Sequence, residues 1–391
     1  MSSAAETSNC PAAAVATAAE PRRLRGHKAA ATCCIASRER PGTVSTSGED
    51  GLVCWFDLRC KDVQLVMDVG DGNEAVSSLC FKPGSEDVLF ASLGKEVKSF
   101  DVRLGTGSKV LQSYSYNKEE INQIVCSSKS SFLAAADDGG EIKIIDIRQQ
   151  CLYKTLRSGH SSICSSVQFL PWRPWEVITG GLDSKLVMWD FSKGRPLKVV
   201  DFGSPEMNGS NMGQCFNPAF VHSVAVPDAD MLDRLDKICV VARGDGTVDV
   251  IYIESELTAI KENKAAKSRK ASQSRPKNTP STAESEGSRR CKLRLHLDYS
   301  CGGHTASVSC VAFSEFDERG KFIISGGNDK FIKLWNVSKC LDTSQTTSQT
   351  DLLHMNISLR KKVNWLCTTP TPSENLIVCD TTKVVKVYSI H

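Results

Sequence analysis

Four short apolar runs in this chain end in the same way and at a common pitch. Phe56-Asp57-Leu58-Arg59, Phe100-Asp101-Val102-Arg103, Ile145-Asp146-Ile147-Arg148 and Trp189-Asp190 each close a run with strand-like composition. Their aspartates lie 44, 45 and 44 residues apart. A unit of this length holds three or four strands, too few to bury both faces of its own sheet. Such units must therefore stack on copies of themselves. Strand-rich repeats in the forties do so radially, as the blades of an all-β propeller.

Seven such units can be read along the chain, from about Gly26 to Arg59, Ala75 to Arg103, Glu119 to Arg148, Gly159 to Asp190, Asn217 to Ile253, Gly303 to Val337 and His354 to Ile390. Each holds three apolar runs separated by turns, as in SVSCVAF, FIISGG and FIKLWNV of unit six. Fourth strands fall in the spacers, where the pattern is weakest. The last unit ends at its third run, so its fourth strand must come from elsewhere. PRRLR, just before Gly26, is the candidate, and pairing there would close the ring and remove two open sheet edges. Residues 21–391 are thus expected to form the propeller, with residues 1–20 an Ala/Ser-rich disordered tail. Residues 257–298, rich in Lys, Ser, Arg and Pro, are expected to be a disordered basic loop between units five and six. SKCLDTSQTTSQT is a second polar insert, placed before unit seven, and DFGSPEMNGSNMGQ a third, before unit five.

Polar residues recur in fixed register inside three units. Gly26-His27, Gly159-His160 and Gly303-His304 are followed after 23, 23 and 25 residues by Asp50, Asp183 and Asp329. Four residues before each Asp stands a hydroxyl (Thr46, Thr179, Ser325), and six residues after it an aromatic (Phe56, Trp189, Trp335). These residues resemble the WD40 repeat family, in which Asp, His, Ser/Thr and Trp form a hydrogen-bonded tetrad within a blade. An imidazole between a carboxylate and a hydroxyl has both nitrogens satisfied. A Ser-His-Asp catalytic triad would use the same groups, but three copies at one structural position argue for internal pegs. Phe56 cannot supply the indole hydrogen bond, so the first tetrad should be incomplete. His222 reads as a core histidine in preference to an out-of-register peg.

The blade ends carry the functional signal. Hydrophobic-Asp-x-Arg resembles the W-D-x-R box of WD40 receptors for cullin-4 RING ubiquitin ligases, in which the Arg helps dock the receptor onto its adaptor. Phe56, Phe100 and Ile145 stand where that box has Trp. The resemblance implies adaptor contacts by Arg59, Arg103 and Arg148 with Asp57, Asp101 and Asp146, all at third-strand exits on one face, called here the bottom. The turn PWRPWEV belongs to the same side and adds Trp172, Arg173 and Trp175. Asn122, in EEINQI, and Asn364-Trp365, in KKVNWL, are weaker partner-binding candidates on strands lining the channel. Arg243, in RGDG, is a weaker candidate on the opposite face.

Composition narrows the classes. Residues 261 to 294 hold eleven Lys/Arg against three Glu, a local +8, which leaves about −5 for the rest of a chain whose total is +3. A mildly acidic body argues against a nucleic-acid surface, and the basic segment has no aromatics to stack on bases. Its KSRK and SRPK resemble a nuclear-import signal. Seventeen cysteines, scattered and without any C-x-x-C, fit reduced thiols in the cytoplasm and nucleus, with no metal site. No run of 18 apolar residues exists to span a membrane.

Taken whole, EEINQI with LAAADDGGEIKIIDI, NPAFVHSV, GGNDKFIKLWN and KVNWL resemble a small seven-bladed family of WD-repeat proteins, over residues 24 to 391. The resemblance implies a seven-bladed WD40 β-propeller that binds proteins without catalysis, cofactor or small-molecule substrate. Its expected partners are the cullin-4 adaptor and an unnamed substrate. The alternative is a scaffold or chromatin-peptide reader that never meets a ligase.

Overall fold

The computed structural model describes residues 20–70, 74–107, 109–129, 131–204, 216–258, 294–337 and 352–391. Seven four-stranded antiparallel sheets form the blades of a propeller. Blade one runs outward through Ala31–Ala36, Thr43–Gly48, Leu52–Asp57 and Val63–Asp68. Thr43–Gly48 is buried along its whole length, whereas the outermost strand alternates between covered and open positions.

Seven apolar clusters fill the spaces between neighbouring blades. The cluster of Phe132, Ala134, Cys164, Val167 and Trp189, for example, draws on blades three and four. A single blade shows two apolar faces and covers neither. The ring must be complete before any blade has a core.

Closure is by the expected strand. Arg22–Arg25 pairs antiparallel with Val384–Tyr388 and supplies the outermost strand of blade seven. Leu24 is 2% exposed, packed with Val44 and Phe56 of blade one and with Val385 of blade seven. Arg22 reaches Glu374 at 2.7 Å and also bonds the carbonyls of Leu58 and Cys60 in blade one.

The sequence misplaced two boundaries. Arg294–Leu297, inside the expected loop 257–298, is the outermost strand of blade five, and residues 253–258 form a helical turn. The basic insert therefore interrupts blade five between its third and fourth strands. Likewise His354 does not open unit seven: Leu353–Ser358 is the outermost strand of blade six, and the SKCLDTSQTTSQT insert lies inside that blade. Both errors have one cause. Outermost strands are solvated on one side, so RLHL and LHMNIS carry too many polar residues to read as strands. The expected tail and the body of the basic loop lie outside the described residues.

Candidate partner-binding surfaces

All three pegs form. His160 sits 3.0 Å from Asp183 and 2.7 Å from the Thr179 hydroxyl, to which the Trp189 indole donates at 2.8 Å. In blade six the distances are 3.0 Å (His304–Asp329), 2.9 Å (His304–Ser325) and 3.0 Å (Trp335–Ser325). Blade one has His27–Asp50 at 3.2 Å and His27–Thr46 at 2.8 Å, with Phe56 in the indole's place. Where Trp donates, the hydroxyl must donate onward to the histidine Nε2, which leaves the Nδ1 hydrogen for the carboxylate. Burial holds His27 and His304 below their ordinary pKa of 6.5, against the pull of Asp50 and Asp329. Burial works to raise the three carboxyls, but backbone amides and the histidines prevail and leave each below its usual value. Thr46, Thr179 and Ser325 are 0% exposed, so no substrate can meet their hydroxyls and the triad reading fails.

The other blades use the same register differently. Gly48, Gly181 and Gly327 face the first residue of their innermost strands, and a Cβ there would come within 2.8 Å of the peg histidine. At the equivalent positions blades three, five and seven carry Asp137, Arg243 and Asp380. In blade three Asn117 replaces the histidine and donates to Asp137 at 2.9 Å. In blade five Arg243 bonds Asp249 at 2.8 Å and also Asp245, while His296 stands 2.5 Å from Asp249. In blade seven Asp380 pairs with Lys386. Asp249 and Lys386 occupy the same place on their third strands, so blades five and seven hold one ion pair with its charges exchanged. Arg243 is 5% exposed with its guanidinium inside this network. It is an internal peg, and the expectation of a partner contact there is corrected.

The channel asparagines are corrected on similar grounds. Every innermost strand shifts register after its first residue, which frees the second side chain to reach the next blade. Asn122 donates to the Cys164 carbonyl at 3.2 Å, and Asn364 to that of Ala31 at 3.1 Å. Thr32, Ser77, Ser165 and Ser309 make the same stitch to Val76, Ile121, Val221 and Val363. His222 holds this position in blade five and makes no hydrogen bond among the described residues. There Ser307 bonds the Gly244 carbonyl at 2.8 Å instead. Trp365 packs into the clusters flanking blade seven and lines a channel cavity of about 290 Å³.

The bottom rim is where the arginines stand. Arg59 forks onto Asp57 at 2.9 and 2.6 Å, and Arg103 onto Asp101 at 2.9 and 2.6 Å. These side chains are 79% and 65% exposed, with each carboxylate tucked beneath. The Arg103 fork brings Asp101 down to about 2, and that of Arg59 lowers Asp57. Arg148 differs: Asp146 is taken by the amides of Arg148 and Gln149, and the Arg148 side chain is exposed with no fork. The two tryptophans part company as well. Trp172 packs between blades four and five, and its indole N–H is buried with no partner among the described residues. Trp175 is 47% exposed and lies over Phe132, Phe191 and Tyr153 at 5.9, 5.5 and 6.4 Å between ring centres. Arg173, between the two, is spent on Glu176 and Glu254. One continuous rim thus offers Arg59, Arg103, Arg148 and Trp175. No group of His, Cys, Asp and Glu among the described residues could hold a metal ion.

Residues 150–190 and 296–336 match the WD domain, G-beta repeat, and these stretches hold the two complete tetrads. The fold is that of a seven-bladed WD40 β-propeller, an architecture that serves as a protein-interaction scaffold. The chain resembles WD repeat-containing protein 53: the Dictyostelium discoideum homolog of that name is 27% identical over 94% of both chains. The Arabidopsis thaliana WD repeat-containing protein ATCSA-1 is 22% identical over 54% of this chain and 42% of its own. The crystal structure of the WD40 propeller domain of Doa1 superposes with a TM-score of 0.65 at 13% identity, covering 94% of this chain and 95% of that one.

Proposed function

We propose that this propeller is a non-catalytic substrate receptor of a cullin-4 RING ubiquitin ligase, working in the nucleus and cytoplasm, and that its bottom rim docks the ligase adaptor. The observation that carries the reading is the Asp-x-Arg end on three consecutive blades, two of them preformed as charged forks. An arginine already held by its own aspartate loses little side-chain entropy on docking and keeps donors free for a carboxylate or carbonyl opposite. Trp175 would supply the apolar anchor beside them. The opposite face and channel would be left for a protein substrate, and ubiquitin transfer would be promoted by proximity.

The self-satisfied forks of Arg59 and Arg103 equally suit a plain scaffold whose rim is finished in itself. Binding of the purified protein to the purified adaptor separates the two. The receptor reading expects micromolar or tighter binding, lost at least tenfold when Arg59, Arg103 and Arg148 are all changed to Ala in a folded protein. Changing them to Lys should lose most of it too, because a point charge cannot reproduce the fork. No binding by the parent at micromolar concentration overturns the receptor and leaves the scaffold.

A further inference from the structure

We propose that Cys80 and Cys126 form a thiol pair that hydroperoxides convert to a disulfide clasping blade two to blade three. Cys80 lies near the end of the innermost strand Val76–Phe81, and Cys126 is the last residue of the innermost strand Ile121–Cys126. The strands belong to neighbouring blades, and the two sulfurs stand 3.5 Å apart. A disulfide needs about 2.05 Å, so the sulfurs must approach by about 1.5 Å to close the bond. Both thiols are reduced here.

The two thiols are unequal in a way that suits stepwise oxidation. Cys80 is 9% exposed among Phe90, Tyr114, Ile121 and Ile124, and burial raises its thiol well above the ordinary value. Cys126 is partly exposed at the strand end and is the one an oxidant reaches first. Its sulfur attacks the peroxide O–O bond, giving a sulfenic acid and one water from hydrogen peroxide. The Cys80 sulfur then displaces the hydroxyl from Cys126 sulfur, a second water leaves, and the S–S bond closes. Two thiols are oxidised and one peroxide is reduced. The clasp would tie together the two blades whose third strands end at Asp101 and Asp146, just before Arg103 and Arg148.

The test treats the folded, reduced protein with hydrogen peroxide, blocks remaining thiols with N-ethylmaleimide and maps the peptides by mass spectrometry. The expected product is a single cross-link joining the Cys80 and Cys126 peptides with loss of two hydrogens, and a thermal midpoint raised by roughly 5 °C that falls back on reduction. Cys126→Ser should leave Cys80 unoxidised, while Cys80→Ser should drive Cys126 on to sulfinic acid or a mixed disulfide with added glutathione. Recovery of both cysteines alkylated after peroxide, or a cross-link to other cysteines, overturns the proposal. So does oxidation of Cys80 that survives Cys126→Ser.

Discussion

At the scale of single residues, the pegs decide how the ring responds to acid and base. His27 and His304 titrate below 6.5 in the folded chain, so the unfolded chain binds protons first as pH falls. Their stabilisation is complete above 6.5 and drains away below it. His296 has the opposite sign: its hydrogen bond to Asp249 holds it above 6.5 despite partial burial. Its contribution is complete below 6.5 and is lost as pH rises through the elevated value. The windows adjoin, so unfolding free energy should peak near pH 6.5. In His296→Gln the decline that begins just above pH 6.5 should vanish while the acid limb stays. The later decline near the ordinary thiol value of 9.0, where burial holds Cys33, Cys164 and Cys239 protonated, should remain. Urea unfolding across the pH range measures this directly, and a variant that keeps the decline just above pH 6.5 would refute the assignment. The His-Asp-hydroxyl register of three blades was plain in the sequence because four residue types recurred at fixed offsets. The exchanged ion pairs were not, because Arg243 and Asp380 share a strand position but carry opposite charges. Only the glycines they replace (Gly48, Gly181, Gly327) would have pointed to them.

At the scale of elements, the strand that matters most is the four-residue Arg22–Arg25. Without it Val384–Tyr388 becomes an exposed edge, and the cluster holding Leu24 opens between blades seven and one. Removing residues 20–26 deletes one fully buried leucine and a ladder of backbone pairs, a loss on the order of 4 kcal/mol. Because no blade owns its core, that loss should lower the midpoint of the whole cooperative transition, seen alike by far-ultraviolet dichroism and tryptophan fluorescence. A small early transition followed by an unchanged main one would mean the ends fray independently. This closure could be read from a missing fourth strand and a spare PRRLR. Interior strands were equally legible, being buried on both faces and written in aliphatics. Outermost strands failed the same test: Arg294–Leu297 and Leu353–Ser358 follow long polar inserts and carry His and Arg or Asn on their wet sides.

At the scale of the whole molecule, the bottom mouth of the channel is bridged from blade to distant blade. Arg38, after the innermost strand of blade one, pairs with Asp228 of blade five and lies 3.3 Å from Glu315 of blade six. Arg319 joins the group through Glu315 at 2.5 Å and through Asp230. The Arg38 links join parts of the ring that share no blade interface, which the repeat pattern cannot disclose, since it describes each unit against its neighbours alone. Arg38→Ala would leave three carboxylates to one arginine. The Arg38 side chain is 52% exposed, so solvent screens the pair and the loss at neutral pH should be about 1 kcal/mol. Burial already raises Glu315, with Asp228 adding to the effect against Arg38 and Arg319. Removing Arg38 must raise it further, and a raised carboxyl stabilises the fold only once protonated. The gap between variant and parent should therefore narrow as pH falls through the raised Glu315 value towards 4.5, and Glu315→Gln should close most of it at neutral pH. A gap that stays constant with pH, or widens on acidification, would show that Arg38 acts through packing and not through the charge it carries across the channel.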